Sequence, residues 1–192
     1  MQLPESILDF WLNRVGPEGW YKSSPELDAE IRNTYMQTWR EAAAGKLDGW
    51  LTQPRNALAL IILLDQFPRN MFRDRAEAFS SDAHARYCAK RAIGMGHDLR
   101  IDPPERQFFY MPLMHSECHT DQDRCVRLFQ MRMPGSSQDN LLHARAHREI
   151  IRRFGRFPTR NAALGRENSP AERAYLEQGG YRGIVEELAQ AA

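Results

Sequence analysis

The chain is predicted to be all-α. Apolar residues recur at three- and four-residue spacings, and helix starts and stops punctuate the chain from end to end. No segment sustains a period of two, and no Asn-Gly or Asp-Gly hairpin flanked by such alternation is visible. About eight or nine helices with short connections are expected. The 192 residues fit a single domain. A chain of this size buries roughly 70% of its unfolded surface, so it needs neither disulfide nor metal to fold.

Leu3, Ile7, Phe10 and Trp11 trace a first amphipathic helix. Ser24-Pro25 reads as an N-cap followed by proline in the first turn. Leu27, Ile31, Tyr35, Thr38, Trp39 and Ala42 then line one face up to a stop at Gly45. A short helical turn is expected over 47–51. Pro54 opens a helix through the run 57–64, which is apolar on every side and so predicted to be the central buried element. Pro68 is expected to end it by pushing Phe67 out of the helical region. In the next helix, 81–93, Ala85, Cys88, Ala89 and Ala92 form a stripe of small side chains that permits close helix approach; Gly94 and Gly96 end it. Pro103-Pro104 opens a short helix into 108–117. Thr120 with Asp123 reads as a capping box for a helix through Met131. Pro134-Gly135-Ser136-Ser137 is a loop, followed by a helix from about Gln138 to Phe154 with Gly155 as its stop. Ser169-Pro170-Ala171-Glu172 combines N-cap, proline and Glu at the third position. Gly179-Gly180 separates that helix from a last one over 181–189. No clean repeat of about 34 or 40 residues marks a regular solenoid.

Composition removes several functions. The 26 Lys and Arg against 25 Asp and Glu give a net charge of +1, without the basic excess of a nucleic-acid binder. The longest apolar run, 57–64, is too short to span a bilayer, so no membrane partner is expected. The N-terminus carries Glu5 and Asp9 and no basic stretch, so no secretory signal is expected. Cys88, Cys118 and Cys125 form no CxxC motif and read as reduced thiols of a cytoplasmic protein.

Three constellations could carry chemistry. The first is an internal echo, in which two helices end in Phe-Pro followed by an Arg-Asn pair: Phe67-Pro68-Arg69-Asn70 and Phe157-Pro158-Thr159-Arg160-Asn161. It fits either two similar helix exits or an old duplication. Guanidinium forks on rigid loops suit carboxylate or phosphate groups. Eight arginines crowd between His143 and Arg173 (145, 148, 152, 153, 156, 160, 166 and 173). They fit equally a solvated face closed by ion pairs, with acids at 98, 102, 105, 117, 121 and 123 as partners.

The second constellation is His143 and His147, which share the apolar arc of their helix. There they are hydrogen-bonded core histidines, ligands or titrating groups. With no HExxH pattern, a zincin is not indicated. The third is His115-Ser116-Glu117. Its imidazole and carboxylate are an acid–base pair or two sides of a metal site completed by His147, or else Glu117 is an acceptor for an arginine or a helix N-terminus.

Several strings resemble a known family. They are Ile7-Leu8-Asp9-Phe10-Trp11, the stretch from Leu58 through Asp65-Gln66-Phe67-Pro68-Arg69-Asn70, Tyr110-Met111-Pro112-Leu113 with His115-Ser116-Glu117, and Arg153-Phe154-Gly155-Arg156-Phe157-Pro158 with Arg160-Asn161 and Leu164-Gly165-Arg166-Glu167. Together they resemble the bacterial family catalogued as domain of unknown function 924, over about residues 5–175. The resemblance implies an irregular tetratricopeptide-like helical superhelix and no established activity. The family motif, carried over residue by residue, includes Gln66, Arg69, Asn70, His115, Glu117, His147, Arg156, Arg160, Asn161, Gly165 and Arg166. His143 is outside it. Thr159 stands where the family usually has His, and Met114 where it often has Glu. The tail 179–192 extends past the usual end.

The expected function is a pocket for a small anionic ligand. Arg69, Arg156, Arg160 and Arg166 would neutralise charge, and Gln66, Asn70 and Asn161 would orient the ligand. His115, Glu117 and His147 would be the acid–base groups of any reaction that follows. The alternatives are a peptide-binding interaction module, a metal-dependent hydrolase built on His115, Glu117 and His147, and a purely structural role in which the polar motif residues form buried Arg–Glu and Asn networks at helix junctions. The primary reading needs no cofactor and no metal, and leaves the oligomeric state open.

Overall fold

The computed structural model describes residues 3–22, 24–135 and 138–191, and every regular element within them is helical. Ser136 and Ser137 of the expected loop, and the last residue of the tail, lie outside the described residues. The chain divides into two units, Met1–Pro112 and Leu113–Ala192.

The first unit begins with α1 (Pro4–Leu8), a π-helical stretch Asp9–Val15, and α2 (Gly16–Gly19). The first helix expected from periodicity is thus partly π-helical, and Leu3, assigned to its apolar face, is 68% exposed. Next come α3 (Pro25–Ala43), a 3-10 turn Asp48–Thr52, α4 (Pro54–Asp65), α5 (Phe67–Met71), a 3-10 turn Ala76–Phe79 and α6 (Asp82–Gly94). Two further 3-10 turns, Asp98–Arg100 and Glu105–Phe109, precede α7 (Met111–Met114), within which the chain passes from one unit to the other. The Ser24 hydroxyl accepts the Leu27 N–H, so the expected cap of α3 is present.

All residues of α4 from Ala57 to Asp65 are buried. The helix packs against α1, α6 and the 3-10 turn Asp48–Thr52, and Ala85, Cys88, Ala89 and Ala92 of α6 are fully buried. Burying a Leu or Ile side chain contributes about 1.5–3 kcal/mol, and the shape of a packed core adds to the loss when one is cut back. Leu60→Ala is therefore expected to lower the unfolding free energy by about 2–5 kcal/mol in urea titration. A change near zero would contradict α4 as the core of this unit.

Phe67 corrects one expectation. It is helical, the first residue of α5, with Pro68 behind it in the first turn. A first-turn proline forfeits an N–H that has no intrahelical partner anyway. The ring position rewards this conformation: Phe67 lies 5.5 Å from Trp11, 4.8 Å from Tyr35 and 6.0 Å from Phe10. At the other Phe-Pro exit Phe157 is extended (φ −90°, ψ 105°), so the two echoes differ in backbone.

The second unit holds α8 (His119–Arg132), α9 (Gln138–Phe154), a 3-10 turn Pro158–Arg160, α10 (Pro170–Glu177) and α11 (Gly180–Gln190). α9 packs on both α8 and α11. Its core is Ala146, Ile150, Ile151, Phe157, Tyr175 and Ile184. Gly155 takes the left-handed φ of +69° that stops α9. The capping box at Ser169 forms in full, with Glu172 and Ser169 each accepting the other's backbone N–H. Ser169→Ala is expected to cost about 1 kcal/mol in a thermal or urea melt.

Thr120 caps nothing. α8 starts at His119, and its N-cap, Cys118, makes no side-chain cap bond. The preceding loop is held instead by Gln122, whose amide donates to the carbonyls of Met114 and Ser116 at 2.6 Å. The Ser116 hydroxyl donates to Asp121 and accepts the Cys118 N–H. That scaffolding presents His115 and Glu117.

Candidate functional site

The ten motif residues proposed for function fall in both units. Gln66, Arg69 and Asn70 belong to the first, and the other seven to the second. In the first unit each polar tip meets a carboxylate. Arg69 reaches from α5 to both oxygens of Asp82, at 3.0 and 3.2 Å, and donates to the Asp65 carbonyl at 2.6 Å. Asp82 is also the first residue of α6, where the helix dipole favours a negative charge. Gln66 donates to Asp65, and Asn70 to Asp28 at 2.8 Å. These bonds join α5 to α3, α4 and α6. Arg69 and Asp82 form a part-buried ion pair, and Gln66 and Asn70 make amide-to-carboxylate hydrogen bonds.

Two similar clamps occupy the second unit. Arg156 makes a two-pronged bond to Glu172 at 2.6 and 2.8 Å. Those bonds, with the Ser169 N–H, hold the Glu172 carboxyl at about 2, well below its usual range. Arg166 grips both oxygens of Glu117, at 2.9 and 3.0 Å, and the Phe157 N–H donates to the same carboxylate at 3.0 Å. Burial works to raise Glu117, but these hydrogen bonds outweigh it and hold the group below the ordinary carboxylate value. Gly165, at φ +64°, makes the turn that brings Arg166 round. Asn161 is fully buried; its amide donates to Asn168 Oδ1 at 2.7 Å, and its Oδ1 has no hydrogen-bond partner among the described residues.

His115, His147 and Arg160 form a different arrangement. The two imidazole centroids are 6.3 Å apart. Arg160 donates to the His115 carbonyl at 2.9 Å and lies over the Phe157 ring, 4.5 Å from its centroid. His147 is flanked by Phe157 and Tyr181, at 5.4 and 5.0 Å. Its Nδ1 is 2.8 Å from the His143 carbonyl. A carbonyl only accepts, so Nδ1 carries the proton and Nε2 of the neutral ring is an acceptor. Desolvation, then the neighbouring His115, pushes the His147 value down to about 3.

The trio His115, Glu117 and His147 is therefore only half assembled. The imidazoles approach each other, while the carboxylate is engaged by Arg166 and Phe157. His143 and His147 do not act as a pair either, because the His143 Nδ1 lies 2.6 Å from the Tyr181 hydroxyl. Tyr181 touches both histidines and was not singled out from the sequence. It lies 38 residues from His143, at the start of the tail past the motif, and no local pattern announces it.

The arginine-rich stretch resolves mostly into ion pairs within this unit. Glu149 accepts from Arg152 and Arg153, Arg153 also reaches Glu187, and Arg148 faces Asp123. These are exposed pairs and contribute little stability.

A pH effect follows from His147. The folded chain keeps the ring neutral down to about 3, whereas an unfolded one protonates it near 6.5. As the pH falls below 6.5 the unfolded state binds a proton that the folded state refuses, so stability drops. Between pH 7 and 5 this group should remove about 2 kcal/mol. Urea titrations of the wild type and His147→Gln at both pH values measure it; equal losses in the two proteins would contradict a neutral, desolvated His147.

Over residues 7–180 the chain matches the model of a family described as bacterial protein of unknown function (DUF924). It is similar to the solved structure of a protein of unknown function from Agrobacterium tumefaciens, with 42% sequence identity and a TM-score of 0.86. That match covers 91% of this chain and 97% of the other. No curated protein matches it.

Proposed function

Because the chain belongs to the DUF924 family of bacterial proteins of unknown function, we propose a function from its own geometry: the second unit binds a small oxyanion that also carries a hydroxyl, at His115, His147 and Arg160. Arg160 supplies positive charge. His147 Nε2 accepts the ligand's O–H. The single observation that supports this is the His147 Nδ1 to His143 carbonyl bond at 2.8 Å, which fixes Nε2 as an acceptor beside a cation. A ligand answering both groups has one anionic oxygen and one O–H, as hydrogen phosphate and hydroxy acids do.

The same pKa argues for binding over proton abstraction. A general base works best with a pKa near the operating pH, and a ring held near 3 is a weak one. Glu117, Arg156, Arg166 and Asn161 serve as the supporting frame that fixes the loop 156–166 against 115–117. A metal-dependent hydrolase fits less well, because Glu117 would have to leave Arg166 and the Phe157 N–H to become a ligand. A tetratricopeptide-like superhelix accords with the α8–α9 and α9–α11 packing. A cytoplasmic location fits the free thiols Cys88, Cys118 and Cys125. No described helix is long and apolar enough to cross a membrane.

Calorimetric titration with inorganic phosphate and sulfate at pH 7 tests the reading. Phosphate keeps an O–H at that pH and sulfate does not, so sulfate leaves Nε2 unpaired. Phosphate should bind at least about tenfold more tightly, since a buried polar group left without its partner costs about 1–3 kcal/mol. Equal affinities, or heat from neither, would overturn it.

A further inference from the structure

We propose that Asp48, His84 and Cys88 of the first unit form a zinc-binding site. These three side chains each offer a ligand atom, and the atoms all lie within 4.8 Å of one another. Among the described residues, they are the group of three or more His, Cys, Asp and Glu side chains that meets this spacing.

The site follows from how two elements meet. His84 and Cys88 are four residues apart on α6, so they share one face one turn apart. Asp48 opens the 3-10 turn Asp48–Thr52, which packs against that helix. The His84 Nε2 already lies 2.9 Å from the Asp48 carboxylate. Around tetrahedral zinc, ligand atoms about 2.0–2.3 Å from the metal stand roughly 3.3–3.8 Å apart. The N–O edge needs to open by a few tenths of an ångström, and small rotations of the side chains close the rest.

The donor set selects the metal class. One thiolate, one imidazole and one carboxylate are borderline-soft N, O and S ligands, suited to zinc rather than to calcium or magnesium. Three protein ligands leave a fourth position for water. Access comes from the Asp48 side, where the carboxylate is 41% exposed; the His84 side chain is 20% exposed and Cys88 is buried. Tyr87 is 6.2 Å from the His84 ring, and its hydroxyl accepts from Arg91 at 2.7 Å, the nearest cation named by these contacts. Carboxylate and thiolate together balance the two charges of zinc. On binding, the Cys88 S–H bond breaks and an S–Zn bond forms, with the proton leaving to buffer. His84 offers the metal its Nε2 lone pair as a neutral ring with its proton on Nδ1, and any proton displaced from Nε2 leaves to buffer.

Cobalt is the spectroscopic stand-in for zinc. Titrating chelator-treated full-length protein with Co²⁺ should produce a near-ultraviolet thiolate-to-cobalt band and visible bands of a four-coordinate site, both removed by Zn²⁺. Cys88→Ser should abolish the near-ultraviolet band, and Cys118→Ser, at an exposed thiol on α8's N-cap, should leave it unchanged. Asp48→Asn and His84→Gln should each weaken zinc by at least about tenfold, the lower end of losses caused by altering even the groups behind a metal's ligands. Circular dichroism checks the fold of each variant. If Cys88→Ser fails to fold, the partly exposed Asp48 and His84 variants decide alone, and unchanged zinc affinity in both overturns the site. Absence of the thiolate band in the wild type, or its loss in Cys118→Ser, also overturns it.

Discussion

Arg69→Ala is expected to lower the unfolding free energy by about 3–5 kcal/mol while leaving phosphate affinity unchanged. The guanidinium sits between two carboxylates, Asp65 and Asp82, that are 1% and 7% exposed. Removing it takes the neighbouring cation from two buried carboxylates, which costs far more than the pair itself contributes. A cycle with Asp82 separates the two effects. Asp82→Asn alone should cost less than Arg69→Ala, and the double variant should recover part of the loss, because the residual charge to be buried is smaller. Urea titration of the four proteins measures the coupling. Stability within about 1 kcal/mol of wild type in Arg69→Ala, together with weakened phosphate binding, would make Arg69 a ligand residue after all.

Most of the architecture was legible because helices announce themselves locally. Ser24-Pro25, the apolar run 57–64, the small-residue stripe of α6, Gly155 and the Ser169 capping box all became what their spacing indicated. Two of the misses share one cause. At Phe67 the local bias imposed by Pro68 yielded to ring packing among Trp11, Tyr35 and Phe10. At Thr120 the expected cap yielded to the bonds from Gln122 that hold the preceding loop. In both cases tertiary contacts outvoted a four-residue signal.

The site was legible as a set of residue types and not as a set of roles. Arginine next to asparagine after Phe-Pro reads the same at 69 and 160. Only the fold supplies Asp82 to the first and the His115 carbonyl to the second. Likewise, Glu117 and His115 are two residues apart in sequence, yet the carboxylate is turned to Arg166 while the imidazole approaches His147. Asp48 lies 36 residues before His84, so no window-based reading could join them.

Arg160→Gln is expected to weaken phosphate by about tenfold to a hundredfold, the worth of a hydrogen bond to a charged group at about 1.5–3 kcal/mol. Glutamine retains a polar side chain and removes the charge over Phe157, and no buried carboxylate loses its cation, so the melting temperature should move less than it does in Arg69→Ala. Calorimetry of the variant beside the wild type reads the affinity, and the pair of melts reads the stability. The opposite ranking, with Arg160→Gln unfolding the chain and phosphate affinity intact, would assign Arg160 to the frame.

The binding reading is tested most directly by nitrogen-15 NMR of the histidine side chains during titration with inorganic phosphate at pH 7. His147 should begin as a neutral ring protonated at Nδ1, and its Nε2 resonance should shift progressively and saturate as the ligand's hydroxyl engages it. A ring found protonated at Nε2, or an Nε2 signal that stays put while phosphate saturates the protein, would contradict it.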